Sequence, residues 1–600
     1  MKDAHIFQII DLNSDDLTVD GGDGWNDKHF VITMYGKTKE GKNVVCNISG
    51  FRPYFFFRLP GNWGESGVRT FLKLINKFIN SYKTGYSVWN GMYEQDLLEV
   101  KRYYNFYGLN YDIECNKISK FKFAKVCFKD YKTMRNCISA IQDFHKINLP
   151  KSKQNKIIMG FKGKDKKPIE CLIDKKYKDW FEIDNGCDCT ANLYESKIHP
   201  LLRFVHEKKI NTCGWVKVTV PNERYIINEK DNKCFNVDIE IKDLPLKYIE
   251  PYTCEEIAGF ITASFDIECD SSHGDFPNPN KDFKKLAIDI HETFFTSETK
   301  LNPNNLIRIQ IKKWIKEAFN GGSNNIQSIY TLNGIYSEDS LEEIMDRFDD
   351  HFIDALKSSK ETSKKREIMI NKLTDVFNTL ENEDGECIKV EGDPIIQIGT
   401  AFHRYGDKEC YDRSMVIIGN DKKPNEEICD DIEGIHVYRC KSEKELLLKW
   451  KDLMLYHNPD LITGYNIFGF DFDYLNKRVD FLFPCHSNCK RTKTYSNCCK
   501  DCSKNDFYRL GRLMRNRDSD IIDTMDVLSK PKKTLSSYND YWEKKCQVVK
   551  KELSSSGLGD NILNYISMDG RVIFDIQKEI QKGHSLDSYK LDDVTAHFMK

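Results

Sequence analysis

Two acidic residues, Asp266 and Glu268, stand two positions apart in the segment ASFDIECDSSHGDFP. Side chains at positions i and i+2 of a strand point to the same side of a sheet. The two carboxylates would therefore share one face, where like charges repel and resist ionisation. An isolated pair of this kind is commonly a strand end that faces water. The alternative is a site for a divalent metal ion, whose charge removes the repulsion.

A third carboxylate lies in the segment NPDLITGYNIFGFDFDYLNKRV. The part DLITGYN predicts a strand, and the spacing of four between Asp471, Leu475 and Val479 predicts a helix. Asn466 and Gly469 suit the bend between the two elements. Asp471 would then lie in the first turn of the helix, directed back toward the sheet. A third carboxylate could therefore reach the face that carries the first two, which favours the metal site.

The rest of the chain predicts the elements that must hold this face. Residues 1–260 are mostly strands and turns, because apolar and polar residues alternate in runs such as HFVITMYGKTKEGKNVVCNISGFRPYFFFRL. Gly36 to Lys42 in this run resemble a phosphate-binding loop, but their position between two strand-like runs favours a hairpin turn. FITASFDIE predicts a strand that is covered on both faces. Residues 278–390 then predict a helical insertion, and DPIIQIGTAF and GIHVYRC return to strands.

The helical insertion is predicted from apolar residues at helical spacing. They are Leu341, Ile344, Met345, Phe348, Phe352 and Leu356, followed by Ile370, Leu373, Phe377 and Leu380.

Composition narrows the function classes only slightly. The chain has 600 residues, so several domains are expected, and its 90 basic and 92 acidic residues leave the net charge near zero. A nucleic-acid partner would therefore have to be recognised by local basic patches. No apolar run is long enough for a membrane span, and the first residues lack the layout of a signal peptide. We therefore expect a protein that is not secreted, has no membrane partner and keeps its 21 cysteines reduced or bound to metal.

The segments FDIE and GYNIFGFDFDYL resemble the first two exonuclease motifs of family B DNA polymerases. Asp473 departs from the proline that usually stands before the tyrosine of the second motif. GFRPYFFF, GDPIIQIG, SSSGLGDNILNYISMDGRVIFDIQKEI and SYKLDDVTAHF are similar to the delta-type pattern in the family's order, and HGDFPNPNKDFKKLA is similar to the polymerases of large nucleocytoplasmic DNA viruses. The matched motif residues are Asp266, Glu268, Asn466, Phe470, Asp471 and Tyr474.

The resemblance implies an α/β multi-domain protein. A β-rich N-terminal domain (1–260) would precede a ribonuclease-H-like 3′–5′ exonuclease domain (261–600) that is truncated at its C-terminus and carries the helical insertion at about 278–390. Two magnesium ions would supply the chemistry of phosphodiester hydrolysis. Asp266 would bridge both ions, Glu268 would hold the ion that activates water, and Asp471 would support the other. Asn466, Phe470 and Tyr474 would position the end of the primer.

The third exonuclease motif, Tyr-x-x-x-Asp, is expected beyond Lys600. Tyr565 and Asp569 have its spacing, but they precede the GRVIFD segment, whereas the family places the motif after the SYKL stretch. The polymerase palm, with its catalytic aspartates, would also lie beyond this chain, so deoxynucleotides would bind only there. We therefore expect the front part of a longer polymerase.

A group of cysteines forms a second predicted insertion at about 485–502. Cys485, Cys489, Cys499 and Cys502 make two close pairs around a basic loop, a spacing that tetrahedral zinc uses. The alternative is a loop in which cysteines have gathered by chance, and the sequence leaves both open.

The functional prediction is the N-terminal and proofreading part of a viral replicative DNA polymerase. Its partner would be primer–template DNA, with a sliding clamp as a further candidate, and it would work inside the host cell, in the nucleus or at a cytoplasmic replication site. A stand-alone 3′–5′ exonuclease and a non-catalytic DNA-binding subunit of a split polymerase are the alternatives.

Overall fold

The computed structural model describes most of the chain, with gaps. The described residues are 3–18, 28–59, 92–101, 111–112, 117–118, 121–147, 193–226, 237–271, 276–419, 429–483, 507–508, 510–512, 548–555 and 559–599.

The N-terminal part is rich in strands, as the alternating sequence predicts. The strands are β1 (Asp3–Thr18), β2 (Lys28–Lys37), β3 (Asn43–Ser49), β4 (Tyr54–Leu59), β5 (Met92–Lys101), β6 (Tyr111–Asp112), β7 (Lys117–Ile118), β8 (Phe121–Phe128), β9 (Leu193–Tyr194), β10 (Trp215–Val220), β11 (Ile239–Pro245) and β12 (Ile249–Tyr252), with helices α1 (Tyr131–Ile147) and α2 (Pro200–Lys208). Six of the strands form one sheet in the order β11-β3-β2-β1-β10-β12, and four form a second sheet in the order β5-β8-β4-β9. Lys37 pairs with Asn43 across the β2–β3 turn, so the segment that resembles a phosphate-binding loop is a hairpin.

Five helices follow the next strand and occupy the segment predicted as a helical insertion. They are α3 (Lys284–Thr296), α4 (Asn304–Phe319), α5 (Glu338–Asp346), α6 (Asp350–Ser358) and α7 (Ser363–Phe377). Their apolar faces form a core of their own, which includes Leu341, Ile344, Phe348 and Leu373. The apolar periodicity continues across the break between α5 and α6, where Asp349 accepts a hydrogen bond from the N–H of Phe352 and begins a new helix.

The central sheet carries the predicted carboxylates. The elements of this region are β13 (Ile261–Cys269), β14 (Ile395–Arg404), β15 (Asp412–Ile418), β16 (His436–Cys440), α8 (Glu443–His457), β17 (Leu461–Gly464), α9 (Asp471–Leu482), the β18 (Val548–Ser555) and β19 (Gly559–Ile566) hairpin, β20 (Val572–Asp575), α10 (Ile576–Gly583) and α11 (Leu591–Phe598). The sheet has the order β16-β15-β14-β13-β17-β20: β13, β14 and β15 are antiparallel neighbours, while β17 and β20 run parallel to β13. This is the ribonuclease-H-like arrangement, so the α/β fold class is confirmed.

Helices α8 and α9 cover one face of this sheet. Phe265 of β13 packs against Trp450 of α8 and Phe472 of α9, with ring centroids 5.2 and 5.4 Å apart. Burying aromatic side chains of this size fixes the helices against the sheet. The start of α9 is thereby held beside the end of β13. Among the described residues, no helix combines the length and the apolar character needed to cross a bilayer.

Candidate active site

Strand β13 separates its two faces residue by residue. Phe265 and Ile267 are buried, whereas Asp266 and Glu268 are exposed. The period of two that the sequence shows is therefore realised in the structure. Ser264, Asp266 and Glu268 are exposed, so the expectation that both faces of this strand are covered was wrong: the alternation leaves one face open, and this face presents both carboxylates.

The turn between β17 and α9 is fixed by two unusual residues. A Cβ atom at Gly464 would lie 2.5 Å from the carbonyl oxygen of Phe265, so only glycine lets β17 approach β13 this closely. Asn466 has a φ of 60°, a left-handed conformation that asparagine tolerates better than most residues. Its carbonyl oxygen accepts hydrogen bonds from the N–H groups of Gly469 (2.9 Å) and Phe470 (3.0 Å). The turn therefore starts α9 against the end of β13.

Asp471, the first residue of α9, meets β13 as the sequence predicts. Its side chain is 2% exposed, and its Oδ1 accepts a hydrogen bond from the N–H of Ile267 at 3.3 Å. Burial, followed by the neighbouring charge of Asp266, raises the pKa of Asp471 to about 7. Two carboxyl groups from residues 205 positions apart thus lie close enough to repel each other.

The carboxyl groups open into a cleft of about 590 Å³. One wall comes from β13 and the β17–α9 turn, and the other comes from α10 and the segment before α11. The lining residues are Asp266, Phe276, Tyr465, Asn466, Phe470, Asp471, Gln577, Tyr589, Lys590 and Leu591.

The predicted primer-positioning residues do not all reach this cleft. Asn466 and Phe470 line it, and the Phe470 ring lies 5.8 Å from the exposed Phe276 ring. Tyr474 is 2% exposed, and its hydroxyl donates a hydrogen bond to the carbonyl oxygen of Asp393 at 3.0 Å. Its ring lies 5.4 Å from that of Phe470. Any effect of Tyr474 on the primer end would therefore pass through Phe470.

The second wall was missed by reasoning from motifs. The Tyr465 hydroxyl donates to the carbonyl oxygen of Tyr589 at 2.6 Å, and Gln577 Nε2 donates to the same oxygen at 3.2 Å. Lys590 brings a positive charge to the cleft that holds the two aspartates. The segments GRVIFDIQKEI and SYKLDDVTAHF supported the resemblance, but nothing in their local pattern indicates a contact with the second motif.

Two other predicted features have separate outcomes. Tyr565 packs its ring 5.6 Å from Phe468, and Asp569 Oδ1 accepts a hydrogen bond from Asn13 Nδ2 at 3.4 Å. Asp569 thus contacts the N-terminal sheet, and the placement of the third motif beyond Lys600 stays a prediction. The four cysteines proposed for zinc lie outside the described residues.

The donor atoms in the cleft are carboxylate oxygens. Within the described ranges, no group of three or more His, Cys, Asp and Glu side chains has metal-binding geometry. Asp266 and Asp471 nevertheless supply hard oxygen donors, and their carboxyl groups repel each other. Glu268 lies two residues after Asp266 on the same face of β13. Oxygen donors of this type are preferred by magnesium. The residues therefore fit a divalent cation, with two aspartates in contact range of each other.

Asp266 of the first strand of the central sheet and Asp471 of α9 thus share one cleft. Residues 191–355 and 379–594 match the family described as "DNA polymerase family B, exonuclease domain", and this match covers more than half of the chain. The chain belongs to this family.

Curated relatives agree with the family. The chain is 27% identical over 626 residues to a DNA polymerase of Pyramimonas orientalis virus and 23% identical over 661 residues to one of Phaeocystis pouchetii virus, covering 99% of this chain in both cases. It is 22% identical over 572 residues to the DNA polymerase delta catalytic subunit of Dictyostelium discoideum, covering 95% of this chain. The chain spans 42%, 54% and 33% of the lengths of these three proteins.

Proposed function

We propose that this chain is the N-terminal and proofreading part of a family B DNA-directed DNA polymerase. It would remove mismatched nucleotides from the 3′ end of a primer by hydrolysis. The observation that supports this most directly is the meeting of Asp266 and Asp471 in one cleft, at the positions that match the first two exonuclease motifs.

The carboxylates are proposed to hold two magnesium ions. Such an ion pair supplies an activated water molecule and stabilises the leaving oxygen. Asp266 would bridge the two ions, Glu268 would hold one and Asp471 the other. Asp266 and Asp471 repel each other in the folded protein, and a bound cation would remove this repulsion.

The rest of the cleft suits a single-stranded DNA end. Phe470 and Phe276 present two aromatic rings that could stack on bases without selecting a sequence. Lys590 places an exposed ammonium group where a phosphate of the strand would approach the acidic wall. Asn466 offers an amide at the base of the same wall.

Polymerisation itself is proposed for the longer protein. The relatives named as DNA polymerases extend well beyond the region that this chain matches. We propose primer–template DNA as the partner, a sliding clamp as a further candidate, and the interior of the host cell as the place of action. We also propose a division into a β-rich domain (1–260) and an exonuclease domain (261–600), because the first strand of the central sheet begins at Ile261.

The experiment replaces Asp266 and Glu268 by alanine in the full-length enzyme. Excision from a labelled, mismatched primer in magnesium should fall about 10³-fold or more, because the metal pair loses two ligands. Extension of a matched primer should largely persist.

Asp473→Ala is the matched control. Asp473 lies in the same first turn of α9 as Asp471, but it is half-buried and pairs with Lys477 at 2.7 Å. It should excise at close to the wild-type rate. Normal excision by the double variant would refute the assignment of the site.

A zinc ion bound by Cys485, Cys489, Cys499 and Cys502 is a separate proposal. It rests on the spacing of the cysteines alone. Metal analysis of the reduced, folded protein should find about one zinc per chain, as four thiolate ligands require. Replacing Cys485 and Cys502 by serine should remove it, whereas replacing the exposed Cys213 should not. A folded wild-type protein without zinc would end this proposal.

A further inference from the structure

Asp575 ends β20 and is buried beside the cleft without lining it. It pairs in register with Gly464 at the end of β17, and it is 1% exposed. Its Oδ1 accepts hydrogen bonds from the N–H groups of Asn466 (2.9 Å) and Gln577 (3.0 Å). Its Oδ2 accepts one from the N–H of Phe468 (3.1 Å). Both oxygens of one carboxyl group are therefore committed to backbone donors.

Two of these donors belong to the turn that aims the site. Asn466 is fixed from both sides, because its N–H meets Asp575 and its carbonyl oxygen holds the N–H groups of Gly469 and Phe470. Asn466 has a φ of 60°, a conformation that side-chain-bearing residues rarely adopt, and the hydrogen bond to Asp575 helps to hold it there. The same turn sets the direction of Phe470 and the start of α9.

The third donor belongs to the opposite wall. Asp575 caps α10 through the N–H of Gln577. The side chains of Gln577 and Tyr465 then both donate to the carbonyl oxygen of Tyr589. The Asp575 carboxyl group and the Tyr589 carbonyl oxygen thus join the wall that carries the carboxylates to the wall that carries Lys590.

We infer that Asp575 is a positioning residue for excision. It holds the turn that starts α9, and thereby Asp471 beside Asp266, and it joins this wall of the cleft to the wall that carries Lys590. This inference rests on the proposed exonuclease function. Asp575 touches neither the cleft nor the reacting atoms, so its effect is transmitted through Asn466, Phe468 and Gln577.

Two substitutions separate positioning from folding. In Asp575→Asn, one oxygen becomes an amide group that donates, so at least one backbone N–H faces another donor. In Asp575→Ser, the hydroxyl can still cap α10, but it is too short to hold both N–H groups of the turn. Asp349→Asn is the matched control, because Asp349 caps α6 in the helical segment through the N–H of Phe352.

The measurements are made on the full-length enzyme. Single-turnover excision by both Asp575 variants, per active molecule, should fall about 10- to 100-fold, as misplacement of reacting groups by about 1 Å does. The magnesium concentration for half-maximal rate should rise. In EDTA, the affinity for a single strand with 2-aminopurine at its 3′ end, followed by fluorescence, should fall on the order of fivefold because Phe470 is no longer held.

The outcomes are distinct. If Asp575 has a purely structural role, its variants should contain fewer active molecules. The excision rate per active molecule, the magnesium dependence and the 3′-end affinity would then stay at the wild-type values, and that result overturns the inference. Wild-type values in both Asp575 variants overturn it equally. If the wild-type enzyme excises nothing while Asp349→Asn and wild type are both folded, the proposed function itself fails.

Discussion

Two buried aspartates, one just before β17 and one at the start of α9, have opposite electrostatic surroundings. Asp460, just before the strand, is fully buried and contacts Lys37 Nζ and Arg512 Nη2, each at 2.6 Å. Asp471, after the strand, has the Asp266 carboxyl group as its neighbour. Burial alone would raise the pKa of both acids. The Arg512 and Lys37 cations outweigh burial and hold the pKa of Asp460 below its usual value, whereas that of Asp471 rises to about 7.

The difference separates a structural carboxylate from one suited to chemistry. Asp460 also accepts a hydrogen bond from the N–H of Ile261 at 2.7 Å. Together with the ion pairs to Lys37 and Arg512, this bond connects the N-terminal sheet, the start of β13 and Arg512. Its charge is satisfied within the protein. The charge on Asp471 is opposed within the protein and becomes favourable when a cation arrives. The two aspartates should therefore respond to substitution and to pH with opposite signs.

The largest expected effect is the loss of stability when Asp460 is replaced. Asp460→Asn leaves Lys37 and Arg512 buried without their anion, and the free energy of unfolding at pH 7 should fall by roughly 3–5 kcal/mol. Because the folded pKa of Asp460 is lowered, the wild-type advantage exists above the unfolded pKa of about 4 and is lost as the pH falls through the folded value. Urea unfolding at pH 7 and at pH 3 would measure it. A change below about 1 kcal/mol at pH 7 would break the comparison.

A smaller effect of the opposite sign is expected at Asp471. Its folded pKa of about 7 exceeds the unfolded value, so the charged form is disfavoured in the folded protein and stability declines as the pH rises from about 4 to 7. In EDTA, Asp471→Asn should therefore raise the free energy of unfolding by about 1–3 kcal/mol at pH 8, with little change at pH 4.

Magnesium sharpens this second prediction. At pH 8 it should stabilise the wild type but not Asp471→Asn, since the amide is a poorer ligand. Asp473→Asn, in the same helical turn, should show neither effect. Destabilisation by Asp471→Asn at pH 8 without metal would show that Asp471 is held by contacts that favour its charge.

Much of the fold was predictable because its signals are local. The alternation of Phe265 and Ile267 with the two acids predicted β13 and placed both acids on one face, as observed, whereas the expectation that both faces of the strand are covered was wrong. The helical segment was predicted from its apolar period, and its core residues are buried. The break between α5 and α6 was missed, because the apolar period runs through Asp349 and only its capping hydrogen bond marks the new helix.

Less of the site was predictable. The sequence indicated that Asp471 would return toward β13, and it does. It did not indicate that Tyr474 turns inward to Asp393, that Lys590 and Tyr589 form the facing wall, or that Asp575 holds the turn. These contacts join residues that are about 80 to 125 positions apart, so no local spacing reports them.

The sequence by itself determined which side chains share a strand face and which residue begins a helix, because both follow from backbone periods of 2.0 and 3.6 residues. Tertiary structure alone decided the charge environment of each carboxylate. Asp460, just before β17, and Asp471, at the start of α9, are the same residue type. The first became a structural ion pair because Lys37 arrives from the N-terminal sheet, 423 residues earlier, and the second became a candidate metal ligand because Asp266 arrives from β13. Burial strengthens both the attraction at Asp460 and the repulsion at Asp471, since charges interact strongly where water is excluded.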